Sequence, residues 1–415
     1  WSAFATDDLN AMDDGLWAGL ATSMLRALTT AQWAALSTAA LEAIGSEQWR
    51  TLLSDDLNAL SSQQWARLAS DELQALSTAQ WALLSTRSLR AIGSDQWALL
   101  ATDDLVALST AQWAALASDD LAALESTQLR LMQSSDLQAL TTAQWRALDD
   151  EKLSALTSAQ WRAMASDNLQ ALTTAQWSAL STDAMGYLSS TQWSLMATDD
   201  LRALDTSQWS IATSSALRAL NTAQWAAIAT DDLDVLNTAQ WRLMQTDDLL
   251  ALTSVQWASF ATDDLTAFTT TQWASFSTRV LQALNSAQWQ ALATDDLISL
   301  NTAQWAGVAS NDLQGLSTTQ WSVMQTLDLI ALNSTQWQAV GSDALEVLST
   351  SQWRALLADD LRALNTAQWA GVATDDLRAL STEQWSSMAS DDLVALGSAQ
   401  WSSMASDDLR ALQGA

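Results

Sequence analysis

Pairs of adjacent aspartates recur along the chain at positions that differ by multiples of sixteen residues. Neighbouring carboxylates could bind calcium, because this cation takes oxygen ligands. Brought to one edge of a fold, they would form an acidic stripe in which calcium bridges successive repeats. The candidate calcium ligands are Asp55 and Asp56, Asp103 and Asp104, Asp119 and Asp120, and Asp263 and Asp264.

The same pattern argues against a dedicated metal or catalytic site. No glycine-rich calcium loop accompanies the pairs, so we expect diffuse calcium binding at most and no other cofactor. Helix-dipole stabilisation and solubility are the simpler explanation of the pairs. A catalytic site requires one irregular constellation, whereas these pairs repeat, and the chain has no His and no Cys. We therefore do not expect an enzyme.

A sixteen-residue period orders the whole sequence. All 25 tryptophans lie on one series with this spacing, in which only Leu129 replaces Trp, and a leucine series runs midway between them. A fixed period of this kind indicates a solenoid in which each repeat packs on its neighbours. We expect one continuous array over residues 1–415, with about 26 rungs and no capping domains, that is a segment of a longer chain.

Each sixteen-residue repeat consists of two similar octads, a Trp octad and a Leu octad. Positions 6, 14, 22 and onward by eight hold Ser or Thr at 48 of 52 places, which predicts helix N-caps there. Asn or Gly often follows the closing apolar residue, where we expect the left-handed conformation that ends helices. The predicted fold is an all-α solenoid of 16-residue rungs, each with two Ser/Thr-capped helices of about six residues.

The Trp and Gln series are interpreted as a structural spine. Trp is the largest residue available to a thin solenoid, so we expect it in the core, with stacked rungs placing Trp33, Trp49 and Trp65 in one column. Gln precedes every Trp from Gln32 onward, which indicates a fixed hydrogen bond to the next Gln or to the backbone of a turn. The spine is represented by Trp33, Trp49, Trp65, Trp241, Gln32, Gln48, Gln64 and Gln240.

The charge of the chain bears on its partners. The chain has 47 acidic and 17 basic residues, a net charge of −30, which repels phosphate backbones and anionic lipids. We therefore expect no nucleic-acid binding. No apolar run approaches the ~20 residues of a membrane span, so direct membrane insertion is not expected either.

Residues 108–116, Leu-Ser-Thr-Ala-Gln-Trp-Ala-Ala-Leu, resemble the short-helix repeats of giant secreted bacterial proteins described as adhesin-like or RTX-like surface proteins. The resemblance implies an extracellular or cell-surface stalk, spacer or filament with no catalytic residues. Its partner would be a further copy, bound end to end or laterally, or the continuation of the same chain. The alternative is a solenoid binding module for a protein or polysaccharide, in which an exposed Trp column would form the binding surface.

Overall fold

The computed structural model describes residues 1–412, which form short α-helices joined by tight turns and contain no strand. These residues contain 51 helices of four to six residues, and each helix begins eight residues after the previous one. The all-α solenoid of very short helices is therefore confirmed. Gly414, one of the exceptions to the Ser/Thr series, lies outside the described residues.

The chain divides into two compact units, Trp1–Ala212 and Thr213–Ala415. Helices α1 to α26 of the first unit are Thr6–Asn10, Asp14–Gly19, Thr22–Leu25, Thr30–Ala35, Thr38–Glu42, Ser46–Trp49, Ser54–Ala59, Ser62–Trp65, Ser70–Ala75, Thr78–Leu83, Thr86–Leu89, Ser94–Trp97, Thr102–Val106, Thr110–Ala115, Ser118–Ala123, Ser126–Leu129, Ser134–Ala139, Thr142–Ala147, Asp150–Ala155, Ser158–Ala163, Ser166–Ala171, Thr174–Ala179, Thr182–Tyr187, Ser190–Ser194, Thr198–Ala203 and Thr206–Ser210. Helices α27 to α51 of the second unit are Ser214–Leu217, Thr222–Trp225, Thr230–Leu233, Thr238–Arg242, Thr246–Ala251, Ser254–Ser259, Thr262–Leu265, Thr270–Ser275, Thr278–Ala283, Ser286–Ala291, Thr294–Ser299, Thr302–Ala306, Ser310–Gly315, Thr318–Ser322, Thr326–Leu329, Ser334–Ala339, Ser342–Glu346, Thr350–Ala355, Ala358–Ala363, Thr366–Gly371, Thr374–Ala379, Thr382–Ser386, Ser390–Ala395, Ser398–Ser403 and Ser406–Ala411.

The capping residue lies one position earlier than predicted. The Ser/Thr series at positions 6, 14 and 22 supplies the first helical residue, and the residue before it is the N-cap. In α4, Thr29 is the cap, and its hydroxyl accepts a hydrogen bond from the Gln32 N–H at 3.2 Å. The shift arises because the N-cap is the last residue with extended backbone angles, here φ −80° and ψ 158°.

The prediction of left-handed Asn and Gly residues at the helix ends is also wrong, because no residue of the described chain has a positive φ. Asn221 has φ −90° and ψ 169°, and its side chain accepts a hydrogen bond from the Gln224 N–H. Asn at this position therefore begins the next helix and does not end the previous one. Adjacent extended residues join the helices directly, so the turn needs no left-handed residue.

The helices that pack together are farther apart in sequence than the rung of two helices predicts. Helix α12 packs against α15, and α15 packs against α18, three helices along the chain in each case. Hydrogen bonds between successive turns span 25, 28 and 31 residues, so one turn comprises between three and four octads. Trp33, Trp49 and Trp65 consequently do not stack directly above one another, as the sixteen-residue rung would require.

Side chains from both kinds of octad share one core within each unit. Every Trp from Trp17 to Trp385 is at most 2% exposed. In the first unit the ring centroids of Trp81 and Trp97 are 6.3 Å apart. In the second unit Phe268, from a Leu octad, lies 5.6 Å from the Trp257 ring centroid. Large side chains from octads on different sides of a turn therefore converge on the same interior.

Candidate functional site

A ladder of buried glutamines connects each turn to the one before it. In Gln64, the side-chain Oε1 accepts a hydrogen bond from the Ser61 N–H at 2.6 Å. The Gln64 Nε2 donates to the carbonyls of Trp33 and Leu36, at 3.0 and 2.8 Å. One amide thus closes the start of its own helix and satisfies two carbonyls at the end of a helix one turn earlier, which a helix terminus would otherwise leave unpaired.

The other predicted spine glutamines lie in the same position. Gln240 Oε1 accepts from the Asn237 N–H at 2.6 Å, and Gln240 is 5% exposed. The sequence left the partner of this series open between a neighbouring Gln and the turn backbone, and the structure places the backbone there. The carbonyl acceptors are those of Trp1 and Phe4 for Gln32, and those of Trp17 and Leu20 for Gln48.

The predicted Trp residues of the spine are all buried, and their indole N–H groups are unpaired. Trp33, Trp49, Trp65 and Trp241 are each 0% exposed, and none of their indole Nε1 atoms has a hydrogen-bond partner. The rings therefore act through their apolar area, which for Trp is up to ~250 Å². A buried ring cannot form a surface for polysaccharide.

The aspartate pairs are divided between solvent and interior. The first carboxylate of each candidate pair is exposed, whereas the second, at the third helical position, is buried or half-buried. No group of three or more acidic side chains suited to a metal ion occurs in residues 1–412. The exposed members are Asp55, Asp103, Asp119 and Asp263; Asp56, Asp104 and Asp120 are buried, and Asp264 is half-buried.

Burial changes the acidity of the inner carboxyls. Desolvation raises the pKa of Asp104 to about 6, with a smaller contribution from the negative charge of Asp103. Desolvation likewise raises the pKa of Asp264 to about 6, and the neighbouring acids Asp263 and Asp234 add to it. The pKa values of Asp56 and Asp120 are also raised by burial.

The sequence contains a further signal for these inner acids, in the pairing of the N-cap residue with the third helical residue. In 19 of the 26 Leu octads the N-cap is Ala, Leu or Gln, and in 18 of these the third helical position holds an acid or Asn168. The other seven have Ser, Thr, Asp or Gly as N-cap, and none has an acid or Asn at the third position. The capping side chain and the inner acid therefore replace each other, since either one can supply an acceptor to the start of the helix.

Contacts of both kinds are present in the structure. Ser37 caps α5 by accepting from the Ala40 N–H at 3.2 Å, and no acid is present at that third position. Leu357 has no capping side chain, and its N–H donates instead to Asp360 Oδ2 at 2.8 Å. The Trp337 indole N–H approaches the same carboxylate closely enough to lower the pKa of Asp360, but without the geometry of a full hydrogen bond.

The residue after the buried Leu forms a second row of contacts, on the outer surface. Arg378 Nε donates to the Ser403 carbonyl at 2.9 Å, twenty-five residues along the chain. Ion pairs within one helix are present as well, at 3.0 Å for Asp199 and Arg202 and 3.2 Å for Asp375 and Arg378.

We expect Asp375→Asn to change the free energy of unfolding by less than about 0.5 kcal/mol, because exposed ion pairs contribute little. The Asp375 side chain is 80% exposed and that of Arg378 is 56% exposed. Urea unfolding of the full chain followed by circular dichroism measures this difference. A loss above about 1.5 kcal/mol would mean that the pair anchors Arg378 for its bond to the next turn.

One surface groove of the first unit is lined by residues of three successive segments, around Arg130, Leu156 and Asp183. This groove has a volume of about 340 Å³ and includes Arg130, Asp183 and Tyr187, the only tyrosine of the chain. Among the described residues, no helix has the length and apolar character to cross a membrane.

Comparison with known proteins shows that a short segment of this chain is similar to a known family of sequence repeats. No curated protein sequence matches the chain. Residues 129–166 match the model of the ALTTAQ repeat family. The matched segment contains the sequence Thr-Ser-Ala-Gln-Trp at residues 157–161, in which Gln160 donates to the carbonyls of Leu129 and Met132. Residues 129–166 are thus similar to the ALTTAQ repeat, and the whole chain is a helical repeat protein.

Proposed function

We propose that the chain is a structural element of an extracellular or cell-surface protein and acts as a stalk, spacer or filament, without enzymatic activity. The observation that carries the proposal is the repetition of one inter-turn joint within each unit, a buried Gln that donates to one or two backbone carbonyls, from Gln32 to Gln208 and from Gln256 to Gln400. Because the same contact recurs along each unit, it favours a role that depends on the length of the array and not on any single turn.

The proposal includes a partner, either the continuing chain or a further copy of the array. Each turn packs on its neighbours through backbone carbonyls and buried rings, and head-to-tail contacts of this kind generate filaments. The net charge of −30 opposes lateral association at neutral pH. This repulsion should weaken as the pH approaches the pI of about 4.1.

Small-angle X-ray scattering of the full chain over a concentration series tests this role. A compact domain of 415 residues would have a radius of gyration of about 22 Å. We expect a value at least twice as large, together with growth in apparent mass at higher concentration or lower pH. A radius close to that of a compact domain contradicts the spacer, and a concentration-independent monomer contradicts self-assembly.

A binding module remains the second candidate, and the groove at Arg130, Asp183 and Tyr187 is the observation that favours it. Such a module would bind its ligand through surface grooves, because the Trp rings are buried. Acrylamide quenching of Trp fluorescence distinguishes the two surfaces. We expect quenching far below that of the urea-unfolded chain. Strong quenching of the native protein would restore the Trp column as a ligand surface.

A further inference from the structure

Amide side chains at the inner helical position donate to backbone carbonyls of the preceding turn. In the Trp octads the donor is Gln; Gln288, for example, donates to the carbonyls of Trp257 and Phe260 at 3.1 and 2.9 Å. In one Leu octad the donor is Asn168, whose Nδ2 donates to the Gln138 carbonyl at 3.3 Å. These acceptors lie 28 to 31 residues back, at the same level of the preceding turn.

Where the inner position cannot donate, a neighbouring side chain does. Val280 occupies this position in α35, and the adjacent Arg279 reaches back to donate to the carbonyls of Leu250 and Leu252 at 2.8 and 3.1 Å. In α41 the inner residue is Asp328, and Gln325 donates to the Ile298 carbonyl at 2.9 Å. Carbonyls at these positions, which lie at or near the surface, are thus repeatedly given a side-chain donor from the next turn.

An ionised carboxylate at the inner position accepts hydrogen bonds only. Asp360 Oδ2 accepts from the backbone N–H of Leu357, its own N-cap. In Asp56, Asp248 and Asp328, each at most 6% exposed, the Oδ2 atom is buried without a hydrogen-bond partner. In these three acids the ionised form leaves a buried oxygen unpaired, and an ionised carboxylate cannot itself give the preceding turn the donor that Gln and Asn168 provide. Asp120 and Asp312 differ, because they accept from the hydroxyls of Ser94 and Ser286 on the preceding turn.

We propose that the inner acids of the Leu octads are protonation-dependent joints between turns, in which the neutral carboxyl donates its O–H to a backbone carbonyl of the preceding turn. In this state one oxygen still accepts from the N-cap N–H, so the neutral acid makes the pair of contacts that Asn168 makes. The array becomes more resistant to unfolding as the medium is acidified. This inference concerns the fold and holds whether the array is a spacer or a binding module.

Six of these acids have pKa values that burial raises to about 6: Asp104, Asp264, Asp296, Asp328, Asp360 and Asp376. Because these values exceed the ordinary 3.8, the folded chain binds protons more tightly than the unfolded chain. Stability therefore rises as the pH falls from about 6 towards 4. The charged groups that face these six are the acids Asp103, Asp234, Asp263, Asp295, Asp359 and Asp375.

Two other inner acids face a cation, which makes them poorer reporters of the proposed joint. Arg26 faces Asp56 and Arg218 faces Asp248, and each guanidinium lowers the pKa of its carboxyl against the larger effect of burial. Glu72, by contrast, faces Glu42 and Asp71, which raise its pKa further. The six acids whose pKa values are raised to about 6 have no opposing Arg and are therefore the clearest reporters of the proposed joint.

The test compares the thermal unfolding of three full-length chains at pH 7.5 and pH 5.0. The first is the natural chain, and the second carries Asp→Asn at the six inner positions 104, 264, 296, 328, 360 and 376. The third is a charge-matched control with Asp→Asn at the exposed positions 55, 119, 167, 231, 247 and 343, none of which faces the six inner acids. Each variant loses six carboxyl groups, so the change in the net charge of the chain is matched between them.

For the natural chain we expect the midpoint of unfolding to rise by roughly 5–15 °C between pH 7.5 and pH 5.0. The inner variant should lose most of this rise and unfold at pH 7.5 as late as the natural chain does at pH 5.0. The exposed control should keep the rise. Retention of the full rise by the inner variant, or its loss in the exposed control, would overturn the proposal.

An infrared titration of the natural chain is independent of how the variants fold. The C=O stretch of protonated carboxyl groups should appear in the folded protein with a component whose midpoint lies at about 6. The same component should move to about 4 after unfolding in urea. If all carboxyls of the folded chain titrate near 4, the inner acids are not protonated joints and the proposal is wrong.

Discussion

Replacing Trp241 with alanine is expected to lower the free energy of unfolding of the surrounding turns by about 3–5 kcal/mol. The Trp241 side chain is 0% exposed, and its ring centroid lies 4.8 Å from that of Phe260 and 5.8 Å from that of Phe268. Removing the ring loses its apolar burial and leaves a cavity among aromatic side chains that cannot all move inward. Urea unfolding of the full chain, followed by circular dichroism, measures the loss.

Leu243 provides a control next to the same helix. Its side chain is 55% exposed, so Leu243→Ala should change the free energy of unfolding by less than about 1 kcal/mol. Trp241→Leu should fall between the two alanine variants, because the chain accepts Leu129 at one position of the Trp series. Equal losses for Trp241→Ala and Leu243→Ala would show that the Trp side chains contribute little to the core.

Replacing Gln288 with glutamate should destabilise the second unit strongly at neutral pH and much less at acidic pH. The Gln288 side chain is 2% exposed; it accepts from the Asn285 N–H and donates to the carbonyls of Trp257 and Phe260. Glutamate keeps the acceptor, but its carboxylate would face both carbonyls with no proton to donate. We expect a loss of about 3–5 kcal/mol at pH 7.5, since buried carbonyls lose their partners and a charge is left unpaired.

Gln290, which is exposed, gives the matched control for this charge. Gln290→Glu should have an effect within about 0.5 kcal/mol at both pH values. Acidification should recover much of the Gln288→Glu loss, because a protonated glutamic acid again has one donor. Urea unfolding at pH 7.5 and pH 5.0 measures both variants, and a loss that does not depend on pH would mean that geometry, not the missing donor, causes it.

Much of the local structure follows from eight consecutive residues. The eight-residue spacing of apolar positions and of Ser/Thr predicted the helices and their phase, and all 51 described helices follow it. The exact cap was missed, because Thr29 and Thr30 are both good N-cap residues and only their backbone angles distinguish them. The exchange between N-cap side chains and inner acids was also readable from the sequence, once the caps are aligned one residue earlier.

The sequence alone determined the helical octad, the positions of the large apolar side chains and the constant need of Gln for a partner. Only the tertiary structure decided that helices three apart pack together and that Gln64 reaches the carbonyls of Trp33 and Leu36. The physical reason is that helix caps and turns are local interactions, whereas the number of octads in a turn depends on small angles accumulated over three or four helices. The packing of neighbouring turns also buries Asp104, whereas Asp103, which points in another direction around the same helix, stays in solvent as a surface charge.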